Sequence, residues 1–241
     1  MAGPDLPFRG PPPDRGTWVL AQSFGFDPMR WQRLLPDTDM WPGELDACPI
    51  VGRWPRVSRA TVLSVGERAH EPVGAVQTYV AAAVWGNGTG AQGVHRRVRV
   101  LGDPTTDVAG SLASAVRTLR SEGPEAAYER LHGHANLVKH LGPSFGTKVL
   151  YSAGYDRTVG ARQPLILDQF VALALNRLVG SMWPTTQGGW TTAQYATYLD
   201  IAHKWAADWG CSPDVVERVL FSIGKASPLV VGVLGGQPTM S

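Results

Sequence analysis

Residues 141–168 read LGPSFGTKVLYSAGYDRTVGARQPLILD, and this stretch decides how the chain is read. Gly142, Pro143 and Gly146 stand between two segments of helical composition, 136–141 and 147–155. Glycine tolerates positive φ, so a tight hairpin between two helices is expected. Backbone N–H groups at the start of the second helix then point outward, and such an array holds a phosphate without any side-chain charge. The same glycines would also serve an ordinary helix–helix turn. Lys148 falls in the expected first turn of the second helix, where the dipole disfavours a cation. A half-buried lysine there has its pKa pushed down, which frees its amine as a nucleophile. Asp168 closes the apolar run Pro164-Leu165-Ile166-Leu167 and reads as a well-fixed N-cap. A fixed carboxylate beside a displaced nucleotide can stabilise positive charge developing on a sugar. The alternative is a plain cap and a surface lysine.

Outward from this stretch, most of the chain reads as helix. Residues 72–85 open with proline and continue as an almost wholly apolar run, a buried helix. Residues 107–121 carry apolar side chains at helical spacing, with Asp107 first and Arg120 near the end, in keeping with the helix dipole. Pro124 opens another helix and Asp168 caps the next. Thr191 or Thr192 caps a segment that stops at Gly210, and Ser212-Pro213 starts the last one. No stretch alternates with period two, apart from a short piece near Val230. The expectation is an all-α globule, with roughly 55 residues of irregular, Trp- and Pro-rich chain wrapped around it. Residues 1–16 read as a flexible Pro/Gly-rich arm and 17–241 as a single helical domain, its helix-hairpin-helix at about 136–155.

Composition sets the remaining bounds. With 241 residues, 44% hydrophobic and 17% charged, the chain can build a substantial core, which argues against global disorder. Cys48 and Cys211 are too few for a disulfide framework and match no zinc spacing, so a reducing cytoplasm is the expected compartment. No apolar run approaches a membrane span, and the N-terminus lacks the apolar core of a signal peptide. The net charge of +2 is unevenly spread. Arg130, Lys139, Lys148, Arg157, Arg162 and Arg177 stand against only Asp156 and Asp168, with His132, His134 and His140 in the same block. Further on, Lys204 alone stands against Asp200, Asp208, Asp214 and Glu217. A basic centre suits an anionic partner such as a nucleic-acid backbone, and it also fits ordinary charge scatter on a solvated face.

LGPSFGTK, followed by Asp168 twenty residues after the lysine, resembles the helix-hairpin-helix DNA glycosylase superfamily, in particular its 8-oxoguanine DNA glycosylase branch, which includes bacterial proteins. The resemblance covers about residues 72–180. It implies two helical subdomains with the active site in the cleft between them, and double-stranded DNA containing a damaged or modified base as the partner. It implies no metal or organic cofactor for the chemistry, no membrane and no obligate protein partner, although hairpin carbonyls would suit an alkali ion. Carried over, Lys148 is the nucleophile that forms a Schiff base at C1′, Asp168 is the catalytic carboxylate, and a lyase step can follow. Gly142, Ser144, Gly146 and Thr147 would face the DNA backbone. Asn87 and Gln92, in a Gly-rich loop after the helix at 72–85, are candidates to fill the gap left by a flipped base, and Arg96 to contact phosphate. Trp85 reads as core or as a stacking surface. Animal members carry a cysteine four residues after the lysine, where this chain has Ser152, so the base pocket departs from theirs. Trp205, Trp209 and Phe221 are the late aromatics that would complete it. The substrate read this way is an 8-oxoguanine-type base. The alternatives are a hypermodified phage base, such as glycosylated hydroxymethylcytosine, in anti-phage defence, or a DNA-binding module without turnover.

Overall fold

The computed structural model describes residues 4–133, 138–158, 160, 162–180, 182–185 and 189–226. It is helical throughout, apart from a small sheet near the N-terminus. Among the described residues there are ten α-helices: α1 Pro28–Leu34, α2 Arg59–Val65, α3 Pro72–Asn87, α4 Ala91–Val98, α5 Val108–Glu122, α6 Pro124–His132, α7 Pro143–Gly154, α8 Gln169–Val179, α9 Thr192–Trp209 and α10 Pro213–Lys225. No helix among the described residues is long and apolar enough to cross a membrane.

Helix α3 has proline at its first position and buries most of its length between Gly74 and Trp85, in keeping with its apolar composition. The buried Thr78 hydroxyl on this helix donates to the Gly74 carbonyl at 2.7 Å, so it leaves no unpaired donor in the core. α3 packs against α2, α5 and α7, and α5 leads into α6. α10 packs on both α8 and α9, and α9 meets α6. The Asp107 cap of α5 accepts from Gly110 N–H at 2.9 Å. Thr191 and Gln194 form a reciprocal capping box on α9, which ends at Gly210 in the left-handed region. Ser212 starts α10, but its hydroxyl goes to the Asp214 carboxylate at 2.7 Å and caps no N–H.

Helices α8 and α10 approach through Gly224, where a Cβ would stand 1.8 Å from the Phe170 carbonyl oxygen. Gly224→Ala should therefore destabilise the fold by about 1–3 kcal/mol through overpacking. Gly102→Ala, where a Cβ meets only open space, should stay within about 0.5 kcal/mol of the parent. Chemical denaturation of both variants checks this, and equal midpoints would contradict the close helix contact.

Three sequence expectations need correction. The N-terminal region is not merely irregular. It contains α1, α2 and a three-stranded antiparallel sheet of order β1-β3-β2, with β1 Ser23–Gly25, β2 Ile50–Val51 and β3 Trp54–Ser58. Strands of two to five residues, one containing Pro55, are too short to show alternation. The supposed Gly-rich loop after α3 is only residues 88–90, because 91–98 form α4. In the hairpin, neither Gly142 nor Gly146 has positive φ. The left-handed residue is His140, at φ 65°. Of the expected first hairpin helix, residues 136 and 137 lie outside the described residues and 138–140 form bends and turns. The short strand expected near Val230 also lies outside them.

The N-terminal arm has no regular element before Gly16, yet it is anchored. Trp205 Nε1 donates to the Pro4 carbonyl at 3.0 Å and Trp209 Nε1 to the Gly10 carbonyl at 2.8 Å. Phe8 packs against both indoles. Arg15 pairs with the fully buried Asp214 at 2.8 Å, and Tyr151 donates to the same carboxylate at 3.0 Å.

Candidate active site

Pro143 suits the first position of a helix, and it opens α7 four residues earlier than the sequence suggests. Lys148 is therefore in the second turn, where the end of the helix dipole has little hold on it. What fixes it is packing. The side chain is 9% exposed, and its Nζ donates to the Ser144 carbonyl at 3.3 Å and lies 5.2 Å from the centre of the Phe145 ring. Across from it stands Gly86 on α3, where a Cβ would come within 3.2 Å of Lys148 Cδ and Cε. A larger residue at 86 would crowd the amine.

Asp168 arrives by a different route. Residues 165–167 are buried and belong to no helix or strand, and three hydroxyls bolt their backbone in place. Thr147 Oγ1 donates to the Leu167 carbonyl and accepts from Leu167 N–H, both at 3.1 Å. Tyr198 donates to Ile166 O at 2.9 Å and Tyr195 to Leu165 O at 3.0 Å. Asp168 then caps α8, with Oδ1 accepting from Phe170 N–H at 3.0 Å and Val171 N–H at 3.1 Å. The second oxygen, Oδ2, is left facing Lys148 Nζ at 3.5 Å.

Both groups open into a pocket of about 250 Å³. Trp85, Phe170 and Phe221 supply aromatic wall, and Gln22, Arg59 and Glu217 supply a polar one. Arg59 is the first residue of α2 and lies between the Trp85 and Tyr151 rings, 5.0 and 5.1 Å from their centres. It pairs with Glu217 of α10, and its Nη2 also donates to Gln22 Oε1 at 2.8 Å. Both members of the pair are almost fully buried. Desolvation opposes charge on Arg59, but the attraction of Glu217 outweighs it and holds the guanidinium above its ordinary pKa. Burial raises the Glu217 carboxyl, against the pull of Arg59.

The other residues singled out from the sequence divide. Phe221 lines the pocket, edge-on to Phe170 at 5.4 Å. Asn87 also lines it, and its amide braces the 88–90 loop by donating to Gly90 O at 2.7 Å. Trp85 lines the pocket while its Nε1 donates to Gln22 O at 3.1 Å. Trp205 and Trp209 do not line it; they hold the N-terminal arm instead. Ser152 is buried, and its hydroxyl turns back to the Lys148 carbonyl at 2.7 Å. Gly142 and Ser144 lie half-buried at the start of α7. Gly146 and Thr147 are buried inside the helix. A Cβ on Gly146 would stand 1.9 Å from His132 Nε2, so that glycine serves close packing. Burial pushes the His132 imidazole down to about 4, which leaves it neutral and out of the basic block. His134 lies outside the described residues. Gln92 and Arg96 are exposed on α4, and Gln92 shares a separate surface pocket with Arg30 and His95. The polar wall went unread: Glu217 counted only as part of an acidic block, and nothing in the local sequence marks Arg59 or Gln22.

A family model described as "Putative 8-oxoguanine DNA glycosylase OGG-like protein" matches residues 17–221, most of the chain. No curated protein and no solved structure matches it.

Proposed function

Because the chain belongs to the OGG-like family of 8-oxoguanine DNA glycosylases, we propose that it flips a damaged or modified base out of duplex DNA and excises it, with Lys148 as nucleophile and Asp168 as catalytic carboxylate. The observation that carries this reading is the pairing of an amine and a carboxylate, 3.5 Å apart and largely buried, in the lining of one pocket. A base inside a duplex stack cannot present its C1′ to such a pair, so the nucleotide must leave the stack first.

The chemistry follows from the two groups. Asp168 Oδ2 takes a proton from the Lys148 ammonium, leaving a lone pair on Nζ. That lone pair attacks C1′ as the C1′–N glycosidic bond breaks, and the bonding electrons leave with the base, which takes up a proton. Asp168 hands the proton it took from Lys148 to the departing base, and so faces the positive charge building on the sugar as a carboxylate. The new C1′–Nζ ammonium loses one proton from nitrogen, and the nitrogen lone pair then expels O4′, which takes up a proton as the sugar ring opens and leaves a protonated Schiff base between Nζ and C1′. β-Elimination from that imine nicks the strand, and hydrolysis returns the lysine. The aromatic wall suits a flat base, while Gln22 and Glu217 offer a donor and an acceptor to its edge. The half-buried start of α7, at Gly142 and Ser144, suits the DNA backbone.

Borohydride trapping on a duplex panel tests the reading: 8-oxoguanine opposite each base, uracil, and phage DNA carrying glycosylated hydroxymethylcytosine. A covalent band on 8-oxoguanine is expected. A band from the phage DNA alone would assign the same chemistry to a hypermodified base in defence, and binding without any band would leave a DNA-binding module. Asp168→Asn should lower excision by about 10²–10³-fold, since it removes the charge facing the sugar. Excision near the parent rate would reduce Asp168 to a helix cap.

A further inference from the structure

We propose that a second cleft, lined by Arg56, Arg218 and Lys225, binds a backbone phosphate of the strand that carries the flipped nucleotide; this rests on the glycosylase reading above. The cleft has a volume of about 530 Å³. It shares Gln22, Phe24, Phe221 and Lys225 with the Lys148–Asp168 pocket, so the two lie on either side of a common wall.

The lining holds three cations and no carboxylate. Arg68, Arg157, Arg162 and Lys204, by contrast, each reach an acidic partner. None of the three cations forms a salt bridge among the described residues. Two of them are nonetheless held in place. Arg56 donates from Nη2 to Ser23 O at 2.6 Å and from Nε to Ser23 Oγ at 3.2 Å, across the β1–β3 pair. Arg218 stacks over Trp18 and Phe221, at 4.8 and 5.5 Å from the ring centres, and Nη1 donates to Ser222 Oγ at 2.6 Å. Its Nε is buried without a partner among the described residues. Lys225, at the end of α10, completes the set with its Nζ 5.9 Å from the Phe221 ring.

Three like charges around one cleft repel each other, and an anion between them reverses the sign of the interaction. Guanidinium groups with spare N–H donors match phosphate oxygens in geometry as well as charge. Each nucleotide brings a phosphate on both sides. A nucleotide entering the neighbouring pocket must therefore carry one along the shared wall.

The test is a fluorescence-anisotropy titration of the full chain with a duplex containing one tetrahydrofuran abasic analogue, repeated over a salt series. Arg56→Gln, Arg218→Gln and Lys225→Gln, combined, should weaken binding by about 10-fold or more and make the salt dependence shallower by at least about one unit of slope. Arg218→Lys keeps the charge but loses the guanidinium fork, so it should bind more weakly than the parent and more tightly than Arg218→Gln. A methylphosphonate at one linkage flanking the analogue should weaken the parent and leave the triple variant unchanged. Should the triple variant fail to fold, Arg56→Gln and Lys225→Gln singly carry the same test.

Unchanged affinity and slope would overturn the cleft proposal and leave the glycosylase reading intact. So would inorganic phosphate that protects the parent against thermal unfolding, if the triple variant still binds DNA normally; the cleft would then be a free-anion site. A parent with no salt-dependent DNA affinity would overturn the glycosylase reading itself.

Discussion

Lys148→Ala is expected to abolish covalent trapping on every substrate the parent excises and to slow excision by at least about 10²-fold. Trapping by borohydride needs an amine bonded to C1′, and Lys148 Nζ is the amine facing both the pocket and Asp168. The variant should still fold, because Asp168 keeps its two N–H donors from α8 when the lysine is gone. It should also bind DNA close to the parent level, since the backbone of the α7 start is untouched. Lys148→Gln serves as a second form, with an amide able to keep the bond to the Ser144 carbonyl but unable to form an imine. Full trapping by either variant would falsify the nucleophile assignment. Lost trapping together with lost DNA binding would point to misfolding, which circular dichroism separates.

The largest stability effect is expected at the opposite wall. Glu217→Ala leaves Arg59 charged and buried, with only Gln22 as an oxygen partner in the pocket wall. Breaking one side of a buried ion pair costs about 3–5 kcal/mol. For a chain of this size that lowers Tm by about 6–20 °C. The double variant Arg59→Met/Glu217→Leu should recover most of the loss, because removing both charges leaves none uncompensated. Calorimetry on the single and double variants checks this. A Tm loss in the single variant of less than about 2 °C would mean that water reaches Arg59 in solution.

Much of the helical layout is legible along the chain because its signals are local. Asp107, Asp168 and Thr191 cap helices where their side chains reach N–H groups two or three residues on. Pro72 and Pro124 open helices where a missing N–H costs nothing. The errors arose where local signals were short or competed. Pro143 moved the start of α7 ahead of Gly146, which took that glycine out of the hairpin and into the core. The N-terminal strands were too short to read, and the arm was fixed by indoles two hundred residues away.

The sequence by itself determined the all-helical class, the caps, and the spacing of Lys148 and Asp168 on which the resemblance rests. These depend on contacts within a few residues or on a motif in one stretch. Only the tertiary structure decided the distance between the two groups and the walls of their pocket. Thr147, Tyr195 and Tyr198 hold the segment before Asp168 from other helices. Arg59 meets Glu217 across 158 residues of chain. Trp205 and Trp209 went to the N-terminal arm and Phe221 to the pocket, although all three read alike in sequence. An aromatic side chain gains from burial wherever it finds a partner, and which partner it meets is set by how the helices pack.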